Sequence, residues 1–148
     1  MQADDELIQK LETGVKMINY QHKGIFDFTT DLFAHCVGDD EKENQYFGET
    51  IEGAVELIET HFETEENLMV ETKYTVMELI NHKREHGEFV MTVAEYIKRF
   101  HETGYIDLLN FASYAKWWVI NHIKHFDRKY VDYFNQITEN KGIDRMNV

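Results

Sequence analysis

Eight histidines are spread along the 148-residue chain, and five of them lie on stripes of apolar residues. These five are His22, His61, His82, His86 and His122. A buried imidazole needs partners for two ring nitrogens, and the apolar stripes offer few other polar groups. One such histidine is most simply a hydrogen-bonded core residue. Five together favour a metal centre, because each ring can bind an ion through one nitrogen and donate a hydrogen bond through the other.

Two pairs of side chains sharpen this hypothesis. His61 and Glu65 are four residues apart, as are His82 and His86, so on a helix each pair points to one place. Five imidazoles and a carboxylate are too many ligands for a tetrahedral zinc ion. They suit two ions with octahedral-type coordination that share bridging carboxylates. Imidazole and carboxylate ligands without a thiolate favour iron over copper or calcium.

Two other interpretations compete with this one. His82-Lys83-Arg84-Glu85-His86 matches the H-x-x-E-H pattern of some zinc peptidases, but a peptidase site would leave the other candidate ligands without a role. His35, His101 and His125 are expected at the surface or at helix ends. His125 nevertheless lies three residues after His122, so the spacing alone lets it compete as a ligand.

Four helices must position these residues. The apolar stripes predict helices over residues 18–37, from Phe47 to Leu68, from Thr75 to Phe100, and from Leu108 to Phe126. The chain has no proline and only 8 glycines, which favours long helices. Each of the four stripes carries at least one histidine. The simplest packing is all-α, an up-down-up-down four-helix bundle.

The segments between and around these helices are also predicted. Gly38 to Asn44 is expected to be a solvated loop, Thr75 to Glu78 matches a capping box, and Gly104 should end the third helix. The length suggests a single domain over residues 1–148. Within it we expect a polar N-terminal arm over 1–17, the bundle over about 18–138 and a short C-terminal tail over 139–148.

Composition limits the partners and the compartment. The net charge of −13 repels phosphate groups, so we expect neither nucleic acid nor an anionic membrane surface as a partner. The single cysteine, Cys36, cannot form an internal disulfide, and the start of the chain is acidic where a signal peptide would be basic. The longest strongly apolar run, Trp117 to Ile120, is far too short to span a membrane. We expect a cytoplasmic protein.

The candidate ligands lie in motifs that resemble those of the hemerythrin family, in particular its single-domain bacterial members. The resemblance covers all four expected helices, roughly residues 14–134. The matching segments are Gln21-His22-Lys23, the run from His61 to Met69 (HFETEENLM), the run from His82 to Phe89 (HKREHGEF), and Trp118 with His122-Ile123, Asp127 and Tyr130.

Hemerythrins are dioxygen-binding four-helix proteins with a non-haem di-iron site, so the resemblance implies two iron ions joined by an oxo or hydroxo bridge. It makes His82, His86 and His122 ligands of one coordinatively full iron. His22 and His61 would hold the second iron, which keeps one open position. Glu65 and Asp127 would bridge the two.

The bridging ligand role of Asp127 rests on the resemblance alone. Five residues at about 100° each place it some 140° around an ideal helix from His122, so either its side chain reaches inward or the helix is distorted.

The function that the resemblance implies is reversible dioxygen binding, as a carrier, store or sensor, in a protein that is not an enzyme. Delivery of dioxygen to an oxygen-using enzyme would be one use. The alternative is a di-iron redox enzyme that acts on peroxide, nitric oxide or ferrous iron. Val119 stands where bacterial hemerythrins usually carry leucine, three residues before the last histidine ligand, on the route to the open iron position.

Overall fold

The computed structural model describes residues 16–141, which form helices joined by short loops; residues 1–15 and 142–148 lie outside the described part. Helix α1 spans Lys16–Ala34, α2 Asp40–Glu71, α3 Val76–Thr103 and α4 Leu108–His122. A π-helical turn, Ile123–Asp127, follows α4 directly and continues into α5, Arg128–Lys141. The last three elements therefore form one long fourth helix.

The four long helices form the predicted all-α bundle. Each helix packs against the next, and α1 also packs against α4. The candidate ligands lie early in α1, late in α2, early in α3 and late in α4, yet they meet at one level of the bundle. Neighbouring helices must therefore run in opposite directions, which is the up-down-up-down arrangement.

The first loop is shorter than predicted. The segment from Asp40 to Asn44, expected to be loop, is the beginning of α2. The Asp39 carboxylate accepts a hydrogen bond from the Lys42 N–H at 3.1 Å and caps the helix. Acidic residues in the first turn then interact favourably with the helix dipole, so the charged run that suggested a loop instead stabilises a helix start.

The ends of α3 were predicted more closely. The helix begins directly after Thr75, but the Thr75 hydroxyl makes no capping hydrogen bond, so the predicted capping box is wrong. At the other end Gly104 adopts a left-handed conformation with φ 69°, and its N–H donates to the Phe100 carbonyl at 2.7 Å. A residue with a side chain would be strained there, which explains why the helix ends at a glycine.

The expected arm and tail lie mostly outside the described residues. Lys16 and Met17, assigned to the arm, are already helical, and α5 continues three residues into the expected tail, as far as Lys141. None of the helices within residues 16–141 is long and apolar enough to cross a membrane.

Two apolar clusters lie on either side of the candidate ligands. The main core includes Phe62, Phe89 and Trp118. A smaller group, the end cluster, includes Met69, Tyr74 and Tyr130. Along each long helix the candidate ligands fall between residues of these two clusters. The polar side chains are thus enclosed in a layer from which apolar packing excludes water.

Candidate metal centre

Seven side chains meet in this polar layer, and all of them are buried. They are His22 of α1, His61 and Glu65 of α2, His82 and His86 of α3, His122 of α4 and Asp127 of the π-helical turn. The structure thus brings together every residue for which a ligand role was predicted. Their donor atoms form two groups, and within each group the atoms lie within 4.8 Å of one another.

The five-residue group contains Glu65, His82, His86, His122 and Asp127. The Nε2 atom of His122 lies 3.1 Å from that of His82 and 3.0 Å from that of His86. Asp127 Oδ1 lies 2.9 Å from the Nε2 atoms of both His82 and His122. Three imidazole nitrogens that point at one another beside a carboxylate oxygen form a donor set suited to one cation.

The four-residue group contains His22, His61, Glu65 and Asp127. Its two histidines each approach a different carboxylate. His61 Nε2 lies 2.8 Å from Glu65 Oε1, and His22 Nε2 lies 2.9 Å from Asp127 Oδ2. This group offers one imidazole fewer than the other.

The two groups share both carboxylates. Asp127 directs Oδ1 to the five-residue group and Oδ2 to the four-residue group, which is the arrangement of a bridging ligand. Both oxygens of Glu65 are buried and form no hydrogen bond of good geometry, although histidine nitrogens lie near them. Buried carboxylate oxygens without hydrogen bonds are costly, so the donor set fits a pair of cations that would satisfy them.

Asp127 reaches this layer because the helix is distorted. The Arg128 N–H donates to the Ile123 carbonyl, five residues back, and this π-type bond adds a residue to the turn. Asp127 consequently faces the same interior as His122, and its side chain is fully buried. His125, which the spacing favoured, is exposed. Of the two expectations for Asp127, the distorted helix is the one observed.

Burial sets the protonation of two of the histidines, His22 and His122. It lowers the pKa of His22 and lowers that of His122 to about 4, so both rings are neutral near pH 7 and have a lone pair for a cation. Burial and the neighbouring Asp127 raise the pKa of Glu65. Burial also disfavours ionisation of Asp127, but the surrounding histidines, His122 first, outweigh it and hold the pKa of Asp127 well below its ordinary value.

Two outer residues orient the candidate ligands, and sequence reasoning had assigned them no role. His86 Nδ1 lies 2.8 Å from Glu66 Oε2, and His61 Nδ1 lies 2.9 Å from Gln21 Oε1. Gln21 in turn donates to the Thr64 hydroxyl at 3.1 Å. Such bonds fix which ring nitrogen faces the ion. Both outer residues directly adjoin a candidate ligand in the chain, which is a signal that could have identified them.

A small cavity of about 10 Å³ adjoins the two groups. Its walls include both histidines of the four-residue group, whereas of the three histidines in the five-residue group only His122 reaches it. The remaining walls are mostly apolar, and Val119 is one of them, as the sequence had suggested. The volume is close to the lower limit for holding one water molecule.

The remaining histidines and the single cysteine lie outside the two ligand groups. His35, His101 and His125 are exposed, as predicted. Cys36 is half-buried and donates to the Leu32 carbonyl at 3.3 Å. Glu85, the acid of the H-x-x-E-H pattern, belongs to neither ligand group. A zinc-peptidase arrangement therefore does not describe this site.

Comparison with known proteins agrees with this geometry. The family model of the hemerythrin HHE cation binding domain matches residues 13–134. Bacteriohemerythrin of Pseudomonas aeruginosa is 34% identical over 122 residues, which is 82% of this chain and 76% of that protein. Myohemerythrin of Theromyzon tessulatum is 31% identical over 122 residues, 82% of this chain and 87% of that protein. No solved structure matches the chain significantly. The family match and these relatives cover most of the chain, which therefore belongs to the hemerythrin family.

Proposed function

We propose that this protein binds dioxygen reversibly at a non-haem di-iron centre, as a carrier, store or sensor. The observation that carries the proposal is a pair of donor groups that share two carboxylates beside a small, mostly apolar cavity. Two iron ions, oxo- or hydroxo-bridged as the family resemblance implies, would supply the redox chemistry by which dioxygen is held and released.

The seven candidate ligands would be distributed between two ions. His82, His86 and His122 would hold one iron, His22 and His61 the other, and Glu65 and Asp127 both. The four-residue group offers fewer ligands and its two histidines line the cavity, so dioxygen would bind on that side.

The surroundings favour binding over turnover. Apart from the candidate ligands, the cavity is lined by apolar side chains such as Phe62, Ile58 and Phe89, which carry no acidic hydrogen. Because the only side chains able to donate a proton into this small space are the candidate ligands themselves, the surroundings favour release of dioxygen unchanged over its reduction. The single cysteine agrees with a cytoplasmic setting, in which dioxygen could be passed to an oxygen-using enzyme.

The test first measures the iron content and then asks whether dioxygen binding is reversible. Elemental analysis should find about two irons per chain, as two ligand groups require. The reduced protein is then mixed with air, the air is removed, and the visible spectrum is followed over several cycles. Full recovery of the starting spectrum supports a carrier. Stoichiometric conversion to the ferric form would instead support the redox enzyme acting on peroxide, nitric oxide or ferrous iron.

A further inference from the structure

A fully buried tyrosine of α5, the helix after the π-helical turn, forms a hydrogen bond to the end of α2. The hydroxyl of Tyr130 lies 2.9 Å from Thr72 Oγ1, across 58 residues of chain. Thr72 already donates its own hydrogen to the Leu68 carbonyl at 2.7 Å, so Tyr130 is the donor in this bond. Burial raises the pKa of Tyr130, which keeps the phenol protonated and able to donate.

A second tyrosine, one helical turn later, bonds to the same place. The Tyr133 hydroxyl donates to the Thr72 carbonyl at 2.6 Å and to the Lys73 carbonyl at 2.9 Å. The Thr72 carbonyl, at the end of α2, lacks a partner within that helix, and the single Tyr133 hydrogen, shared with the Lys73 carbonyl, satisfies it. Lys73 has a left-handed backbone with φ 58°, an arrangement unusual for a residue with a side chain. The ring of Tyr74 also packs against Tyr130, with centroids 5.0 Å apart.

The hydrogen bonds of Tyr130 and Tyr133 influence where the side chain of Asp127 points. A π-helical turn holds one residue more than an α-helical turn, and that extra residue can in principle sit at several places along a helix. The register before the turn is set by His122, which faces the interior. The register after it is set by Tyr130 and Tyr133. The extra residue must then lie between His122 and Tyr130, where it turns Asp127 inward.

We propose that Tyr130 and Tyr133 are positioning residues of the metal centre, whose hydroxyl bonds to Thr72 and Lys73 hold the π-helical turn where Asp127 faces the histidines. The proposal rests on the ligand role of Asp127 in the proposed function. Without the two hydroxyl groups the extra residue can shift toward α5. The segment from His122 to Asp127 then becomes α-helical and turns the carboxylate some 140° away from His122.

The test removes only oxygen atoms. Tyr130→Phe, Tyr133→Phe and the double variant keep the rings in the end cluster. Tyr96→Phe is the matched control, because the Tyr96 hydroxyl also donates a side-chain hydrogen bond, to Asn110, but lies outside both ligand groups. Two readouts are compared: anaerobic titration with ferrous iron, and hydrogen exchange of the amides of residues 124–130 in the metal-free protein.

We expect the double variant to bind ferrous iron roughly 10- to 100-fold more weakly than the Tyr96→Phe control, the usual effect of removing an outer-shell partner. The amides of residues 124–130 should exchange faster, while those in the middle of α2 keep their rates. If affinity and exchange both equal those of the control, the proposal is wrong.

Two further measurements keep the outcome clear. Should the Tyr130→Phe/Tyr133→Phe double variant not fold, Thr72→Val combined with Tyr133→Phe removes the same hydrogen bonds and leaves Tyr130 in place; unchanged iron affinity in that variant would also overturn the proposal. Wild-type protein that binds no ferrous iron would contradict the proposed function, whereas the exchange experiment would still test the tyrosines, because it needs no metal.

Discussion

The two ligand groups share Glu65 and Asp127 but differ in what surrounds them. In the five-residue group three imidazoles converge, and His86 is backed by the carboxylate of Glu66. In the four-residue group two imidazoles remain, and His61 is backed by the neutral amide of Gln21. Both histidines of the four-residue group line the cavity, whereas Glu66 lies toward the surface and is half-buried.

Under the proposed function, this difference would let one bundle hold two unlike metal ions with similar side chains. A third imidazole, and a carboxylate behind the ligands, would stabilise a positive ion in the five-residue group. One ligand fewer beside an apolar cavity leaves a place for a small molecule. Within the proposed function, the five-residue group would hold the ion with a structural and electronic role, and the four-residue group the ion that binds dioxygen.

The largest effect is expected from removing a ligand that both groups share. Glu65→Ala should reduce iron content well below two per chain, because it takes a ligand from each ion at once. The affinity loss should exceed the roughly 10- to 100-fold cost of removing an outer-shell partner. Glu63→Ala, an exposed glutamate on the same helix, is the matched control. Normal iron content and normal cycling with dioxygen in the Glu65 variant would show that the two groups do not share this residue.

A second test separates the residue that spacing favoured from the one that the distorted helix presents. Asp127→Ala should lose iron, because the carboxylate contacts His22, His82 and His122. His125→Ala should leave iron content and the visible spectrum unchanged, because that ring is exposed. The reverse result, with iron lost only in the His125 variant, would refute the ligand role of Asp127.

The outer residues allow the asymmetry itself to be altered. Glu66→Gln replaces the carboxylate behind His86 with an amide and makes the two groups alike in this respect. We expect iron in the five-residue group to bind about tenfold more weakly, at the lower end of outer-shell effects, and to be easier to reduce. Titration and the reduction potential measure this. Gln21→Glu makes the opposite change behind His61, so equal shifts of the same sign in both variants would contradict the asymmetry.

The smallest effect is expected at Val119. Val119→Leu adds one methylene to the wall of a cavity of about 10 Å³, so dioxygen association and oxidation to the ferric form should both slow. Stopped-flow rates and the decay of the oxygenated spectrum measure them. Val93→Leu, a buried change in the main core away from the cavity, is the control. Unchanged or faster oxidation would mean that Trp118 or Ile123 already fills the space.

The sequence alone determined most of the helical segments and most of the candidate ligands. His61 and Glu65 are four residues apart, as are His82 and His86, and this helical spacing can be recognised from the sequence without a structure. Gly104 predicted the end of α3, because glycine has a local backbone preference that ends helices. The apolar stripes predicted the bundle, because they show which face of each helix is buried. The start of α2 was misplaced, because a run of acidic residues is found both in loops and in the first turn of a helix.

Only the tertiary structure decided how Asp127 enters the site and which outer residue backs each histidine. From spacing alone His125 was the better candidate, because an ideal helix places it nearer to the face of His122. A π-helical turn reverses that choice, and what holds it, including the bonds of Tyr130 and Tyr133 to the end of α2, lies about 60 residues away in the chain. Local periodicity carries no information about such a register shift, because the contacts that stabilise it form only when distant helices pack together.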